Sequence, residues 1–309
     1  MIKSKFKLCE KALFYLQKMD RIMTIGHYSP KTIRLYLSEV RFIYEYYSAI
    51  DPDDINQELI EHYMYDLIRN NNATYAKCKS VAHGLGFLYK NVLQKPYVLP
   101  SKLYPKRHFK LPNVMSEEQI LHLINSCGTI KQRALVELFY SSGIRVSECS
   151  HLKLQDIDIN NMRIKINQGK GRKDRFTLLS YNCLDTLRTY YTKYQPKEYL
   201  FEGYRPGKPM NPRSIQLAVN QCYHIANLKY LNFNITTMRH TFATHLLDNG
   251  TNIFTIKELL GHSKIDTTIV YLHLQFKKRS AMVSPLDALL QKVNLKSTHP
   301  HKYFLPETL

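Results

Sequence analysis

Apolar residues recur every three or four positions along most of the chain and alternate with polar ones in only one short region. In SPKTIRLYLSEVRFIYEYY, starting at Ser29, the residues Ile33, Leu37, Val40 and Tyr44 share one helical face. Ser29 is a good N-cap and Pro30 fits the first helical position. Asp51-Pro52 breaks the chain, INQELIEHYMYDLIRN predicts the next helix, and NNNATYAKCKSVAHGLGFLYKNVL predicts one or two more. Lys31, Arg34 and Arg41 fall mostly off the apolar stripe, where they face either phosphates or water.

KPYVLPSKLYPKRHFKLP follows, with Pro96, Pro100, Pro105 and Pro112, five Lys or Arg and no acid. That proline spacing forbids a regular helix and predicts an extended linker. Its basic residues, Lys106 and Arg107 among them, suit a strap along a phosphate backbone, although a plain linker needs no such contact. A second domain then starts at MSEEQILHLINS, with Ser116 as a cap and acids in the first turn. KQRALVELFYSSGIRVSECSHLKLQDID predicts a buried helix, a Ser-Ser-Gly turn and a second helix opening at Arg145. RIKIN and RFTLL alternate around QGKGRKD and predict a β-hairpin with Lys170 at its tip. Helices resume through YNCLDTLRTYYTKY, NPRSIQLAVNQCYHIANL and the segment from Met238 to His273. The architecture expected is mainly α: a helical N-terminal domain and a larger, mostly helical domain with one small β-sheet.

Charge changes the picture more than composition does. Lys plus Arg number 44 against 25 acids, a formal net of +19 over 309 residues. So one-sided a balance points to a polyanion, nucleic acid above an anionic membrane surface. No apolar run reaches the ~18–20 residues that a membrane span needs, and Glu10 and Lys11 interrupt any signal-peptide core. The six cysteines form no CxxC or CxxH pair. They read as reduced core residues of a cytoplasmic protein, not as a zinc site or a disulfide framework.

There is no Walker loop, HExxH, GxSxG or acidic cluster for divalent metals, so no metal or nucleotide cofactor is expected. What remains for phosphate chemistry is a set of cations, histidine and tyrosine. Arg145 begins a helix and presents a planar fork suited to a phosphodiester. Arg239 lies near the start of TTMRHTFATHLL, whose buried side is marked by Met238, Phe242, Leu246 and Leu247. His262 follows the stop KELLG, and nine residues later comes Tyr271, on a short helix opened by DTT. Each of these residues singly has an ordinary structural reading, as a surface arginine, a turn lysine, a helix-end histidine or a half-buried tyrosine.

Together and in this order they resemble the tyrosine recombinase, or phage integrase, family, and its Xer-like members above all. SSGIRVSEC resembles the first arginine box, GKGRKDR the hairpin lysine, MRHTFATHLLDNG the second arginine box, ELLGHS the His/Trp position and TTIVYLH the nucleophile. The resemblance covers about residues 113 to 280, and the N-terminal helices with the linker are similar to the family's SAM-like core-binding domain. It implies a core-binding domain over residues 6–95, a linker over 96–112, a catalytic domain over 113–284 and a C-terminal tail over 285–309.

The implied activity is site-specific DNA cleavage and rejoining through a 3′-phosphotyrosyl bond to Tyr271. Arg145, Arg239 and His262 would stabilise the transition state, and Lys170 would protonate the 5′-oxygen. The implied partners are double-stranded DNA, gripped by a two-domain clamp, and three further copies of the chain or of a paralogous recombinase. Leu286, Leu289, Leu290 and Val293 in the tail share a face suited to a neighbouring protomer, or else to their own domain. An unperturbed phenol is ionised in only about one molecule in a thousand at pH 7, and the cationic pocket is expected to favour phenolate. One position departs from the family. The second box is usually HxxR, but Thr236 stands where the histidine belongs, and His240 does not occupy that position. Thr236 or Thr237 would cap the helix instead. One lost donor of this kind costs about 10²–10³ in rate, which slows the chemistry without by itself abolishing it. A relative that binds DNA without cutting it is the alternative, and a type IB topoisomerase a further one.

Overall fold

Most of the helices begin where the sequence supplies a capping oxygen. The computed structural model describes residues 8–96, 111–167, 174–274 and 286, and the chain divides into two compact units, residues 1–109 and 110–309. The linker residues Lys106 and Arg107, the hairpin residue Lys170 and the tail beyond Leu286 lie outside the described residues.

The first unit is helical: α1 (Glu10–Ile25), α2 (Pro30–Tyr46), α3 (Gln57–Arg69) and α4 (Tyr75–Phe87), which continues as a π-helical turn, Leu88–Leu93. Ser29 accepts the Thr32 N–H at the head of α2, with Pro30 in the first turn, as its sequence implies. Asn56 and Thr74 cap α3 and α4 in the same way. Met19, Val40, Ile43, Ile60, Val81 and Leu85 meet in the core, with Ile33 and Leu37 at its margin. Lys31, Arg34 and Arg41 are exposed on α2. Arg41 pairs with Glu45 one turn on at 3.1 Å, and the Arg34 Nε donates to the carbonyl of Pro30 at 3.2 Å.

The second unit starts with α5 (Glu117–Asn125), opened by a capping box between Ser116 and Gln119. Then come α6 (Ile130–Ser142) and the short α7 (Val146–Ser150). The sheet is antiparallel and three-stranded, in the order β1 (Ile157–Asp158), β2 (Arg163–Ile166), β3 (Arg175–Leu178). The hairpin expected from the alternation is β2–β3, and the two-residue β1 pairs Ile157 with Ile164 as an added edge. Helices α8 (Tyr181–Tyr194), α9 (Pro212–Ile225), α10 (Ile235–Asp248), α11 (Ile253–Leu260) and α12 (Asp266–Ile269) complete the unit, ending in a 3₁₀ turn, Val270–Leu274.

Helix α6 is the centre of this unit, packed by α5, α8, α9 and α10. It buries Ala134, Leu135, Val136, Leu138 and Phe139, so it has no wet face over that stretch. A smaller apolar cluster gathers Phe242, Leu247, Ile256, Leu260, Tyr271 and Leu274 from the last helices. Strand β2 buries Ile164 and Ile166, as an alternating strand should. Strand β3 does the reverse: Phe176 and Leu178 are exposed, while Thr177 is buried and donates its hydroxyl to the Ser142 carbonyl at 2.7 Å. The Arg163 guanidinium covers the outward Phe176 ring at 4.2 Å. The inward face of β3 is thereby left to Arg175 and Thr177, of which Arg175 takes part in the site below. Among the cysteines, Cys78, Cys149, Cys183 and Cys222 are buried, while Cys9 is exposed and accepts the Ala12 N–H at the head of α1.

Candidate active site

The site is built from helix ends. Helix α6 stops at Gly143, which has φ +61°. A Cβ there would sit 2.3 Å from a ring carbon of Phe242, so both the backbone angle and the space demand glycine. The reversal leaves Arg145 at the N-cap of α7. Its backbone N–H donates to Glu148 Oε2 at 2.8 Å, and its Nη1 donates to Oε1 at 2.7 Å. Arg175 reaches the same carboxylate from β3, Nη1 to Oε1 at 2.9 Å and Nη2 to Oε2 at 2.8 Å. Burial pushes the Glu148 carboxyl up, but the Arg175 hydrogen bonds and charge, with Arg145 behind them, outweigh it and hold the group at about 2.

Arg239 enters from α10. Asn234 caps that helix, taking the N–H groups of Thr236 and Thr237, and the Thr237 hydroxyl accepts the Asn234 N–H. The capping residue is therefore Asn234, not Thr236 or Thr237, because the helix begins at Ile235, two residues before the start that a Thr236 cap would give. Thr236 is exposed. Arg239 is only 7% exposed. Its Nη1 donates to the Gly143 carbonyl and its Nη2 to the Leu260 carbonyl at the end of α11. These carbonyls end their helices without intrahelical partners, so a buried cation is well placed on them. Burial first, then the neighbouring Arg145 charge, pull Arg239 down to about 9, still protonated at neutral pH. Arg175 locks the same helix end, with Nε on the Leu259 carbonyl at 2.8 Å. Gly261 follows at φ +63°, where a Cβ would press on the Arg175 side chain at 2.8 Å.

That turn delivers His262, whose Nδ1 lies 2.9 Å from the Thr268 hydroxyl. Burial, then the charges of Arg239, Arg145 and Arg175, pull this ring down to about 3, so it is neutral at pH 7. Tyr271 sits in the 3₁₀ turn after α12, not on the helix opened by Asp266, and is 2% exposed. Its hydroxyl lies 3.0 Å from Nδ1 of His240. The pocket does not leave this phenol easier to ionise: burial raises it, and the opposing pull of Arg239 and Arg145 is the smaller effect. Burial and the adjacent Arg239 charge lower His240.

One cleft of about 540 Å³ is lined by Arg145, Thr236, Arg239, His240, His262 and Tyr271. Of the residues read from sequence, Arg145, Thr236, Arg239, His262 and Tyr271 are brought together. Lys170, Lys106 and Arg107 lie outside the described residues, and Lys31, Arg34 and Arg41 belong to the other unit. Glu148, Arg175 and His240 were not read as site residues from the sequence. Glu148 carried a signal, an acid at the third position of a short helix after its cap. Arg175 and His240 lie within the quoted runs GKGRKDR and MRHTFATHLLDNG, but nothing local marked a role for them, since their partners are distant in sequence. Among the described residues no group of three or more His, Cys, Asp or Glu is placed to hold a metal ion.

The family model for the phage integrase family matches residues 113–278, and that for the phage integrase N-terminal SAM-like domain matches residues 15–98. The chain belongs to the phage integrase family, the tyrosine recombinases. Tyrosine recombinase XerC of Lacticaseibacillus casei is 31% identical over 272 residues, 80% of this chain and 89% of XerC. XerD of Staphylococcus aureus is 30% identical over 266 residues, covering 80% of this chain and 88% of XerD. The XerH recombinase bound to palindromic difH substrate in a post-cleavage complex shares the fold, with a TM-score of 0.71 at 17% identity, over 90% of this chain and 96% of XerH. The Xer-like resemblance of the sequence motifs therefore holds, and with it the mainly helical two-domain class and the family's activity, cleavage and rejoining of DNA at specific sites. No helix among the described residues is long and apolar enough to cross a membrane.

Proposed function

We propose that the chain cuts one strand of double-stranded DNA with Tyr271, holds the end as a 3′-phosphotyrosyl bond, and passes it to the 5′-hydroxyl of a second duplex. The observation that supports this reading is the cleft in which the Tyr271 hydroxyl shares its walls with Arg145, Arg239 and a neutral His262. Phosphodiester cleavage adds negative charge to the non-bridging oxygens at the transition state. Two guanidiniums held by Glu148 and by backbone carbonyls are donors already oriented for that charge, and a neutral imidazole adds another. Lys170, from the hairpin, acts as the acid on the leaving 5′-oxygen. The covalent bond conserves the energy of the diester, so rejoining needs no nucleotide, metal or other cofactor.

Lys31, Arg34 and Arg41 on the core-binding unit, with Lys106 and Arg107 on a linker over residues 96–112, contact backbone phosphates, and binding weakens steeply with salt. Strand exchange takes place in the cytoplasm within a tetramer of this chain, or one shared with a paralogous recombinase. The tail over residues 285–309 joins protomers. The test is a nicked suicide duplex made from DNA flanking the gene for this chain. A slow-migrating covalent adduct in wild type, absent in Tyr271→Phe, is the expected result. Specific binding with no adduct overturns it.

A second reading rests on Thr236, exposed at the head of α10 where the family histidine belongs. It makes the chain a DNA-binding relative silenced at the chemical step. An adduct that appears only in Thr236→His would establish it.

A further inference from the structure

The phenol of Tyr271 must lose its proton as it attacks phosphorus, yet the cleft around it opposes phenolate. Burial outweighs the two guanidiniums, and the family's histidine is replaced by Thr236, a side chain with no basic nitrogen. The cations that line the cleft cannot accept a proton. Arg145 is anchored on Glu148, and Arg239 on two carbonyls. His262 has its Nδ1 engaged by Thr268. Among the described residues the hydrogen-bond partner of the Tyr271 hydroxyl is the ring of His240, with Nδ1 3.0 Å from Oη and the two ring centroids 5.7 Å apart.

We propose that His240 is the proton acceptor for Tyr271, supplying from one residue beyond Arg239 the basic nitrogen that position 236 lacks. The inference rests on the recombinase reading above. It adds a catalytic residue which the family's HxxR spacing does not point to, because His240 lies on the other side of Arg239 from Thr236. On α10, residue 240 is four positions, about one turn, beyond residue 236, so both line the same cleft. A basic group is thus kept on the same helix face while the sequence motif changes.

The step balances as follows. The Tyr271 Oη–phosphorus bond forms as the bond from phosphorus to the 5′-oxygen breaks. The phenol proton passes to Nδ1 of His240, making an imidazolium, and the 5′-oxygen takes a proton from the acid. In rejoining, the 5′-hydroxyl attacks, the phosphotyrosyl bond breaks, and His240 returns its proton to the departing phenolate. This needs His240 neutral with Nδ1 as its acceptor nitrogen before cleavage. Burial, then Arg239 on its own helix, favour that state, and Arg145 from α7 and the neutral His262 after α11 line the same cleft. Entry of a phosphodiester brings a negative charge that favours the imidazolium at the moment of transfer.

The test is single-turnover cleavage of the nicked suicide duplex by wild type, His240→Ala and His240→Asn, at saturating protein. Two arms use a duplex whose leaving 5′-oxygen is replaced by sulfur, which departs without protonation. The Asn side chain can still accept a hydrogen bond from the phenol but cannot take its proton, so it keeps the packing and removes the chemistry. Both variants are expected to bind the duplex as wild type does and to cleave about 10²–10⁴-fold more slowly. The sulfur substrate should leave their defect in place while relieving that of Lys170→Ala. Added imidazole should restore part of the rate to His240→Ala. Wild-type-like cleavage by His240→Asn, or full relief of its defect by the sulfur substrate, overturns the proposal and leaves the recombinase reading standing. Wild type that binds the duplex and forms no adduct overturns that reading, and this proposal with it.

Discussion

Arg175 and Glu148 meet in a two-point ion pair, Nη1 on Oε1 at 2.9 Å and Nη2 on Oε2 at 2.8 Å, with both side chains under a tenth exposed. The pair joins β3 to the head of α7, and the spare Nε of Arg175 ties both to the end of α11. Three elements that carry site residues are thus held through one guanidinium.

Glu148→Ala leaves that guanidinium buried without its carboxylate. Breaking a buried pair by removing one partner costs about 3–5 kcal/mol. Urea denaturation should show a loss of that order, and the rate of covalent adduct formation should fall with it because Arg145 loses the same anchor. A loss under about 1 kcal/mol would mean that the pair is no more than a surface bridge.

The same carboxylate makes stability depend on acid. Its folded value of about 2 lies below the ordinary 4.5, so its contribution is fully present above pH ~4.5 and is lost as the pH falls toward 2. Glu148→Gln should lower the denaturation midpoint at pH 6 yet flatten its decline between pH 4.5 and 2. Parallel curves for the two proteins would contradict this.

His262 acts in a higher window. Burial and three arginines hold it at about 3, below the ordinary 6.5. Between these values the unfolded chain binds a proton that the folded chain refuses, so stability is full above pH ~6.5 and declines as the pH drops toward 3. His262→Asn removes that proton uptake, so the decline between pH 6.5 and 5 should be shallower than in wild type. Chemical denaturation at half-unit pH steps would resolve the two slopes.

Gly143 and Gly207 both have positive φ, +61° and +69°, but only Gly143 is enclosed, since a Cβ at Gly207 would meet nothing within 4 Å. Gly207→Ala should therefore cost only the backbone preference, about 1 kcal/mol. Gly143→Ala adds overlap with Phe242 and shifts the carbonyl that holds Arg239, so a loss of about 3 kcal/mol or more and a large fall in cleavage are expected. Thermal melts of the two variants side by side make the comparison, and equal losses would show that Phe242 yields freely.

Much of the fold and part of the site are legible in the order of residues along the chain. Ser29, Pro30 and Ser116 mark helix starts because a cap is satisfied within three residues, and the apolar period of α2 and α5 follows from local geometry. Arg145, Arg239, His262 and Tyr271 stand out because each is embedded in a short run resembling a family motif. The alternation around the hairpin announces two strands but not the third, which is two residues long and exists only through its pairing with β2. Nor does alternation say which side of β3 is wet. Phe176 faces out because Arg175 and Thr177 have partners inside, Glu148 and the Ser142 carbonyl.

The sequence by itself determined most of the helices and their starts, the basic character and the order of the motifs, since each depends on neighbours a few residues away. Tertiary structure alone decided how the site is held and what Tyr271 touches. Arg239 reaches a carbonyl 96 positions away, Arg175 one 84 away, and His240 a hydroxyl 31 away. Such contacts arise from how helix ends and one strand converge around buried charge, and no local pattern encodes that convergence.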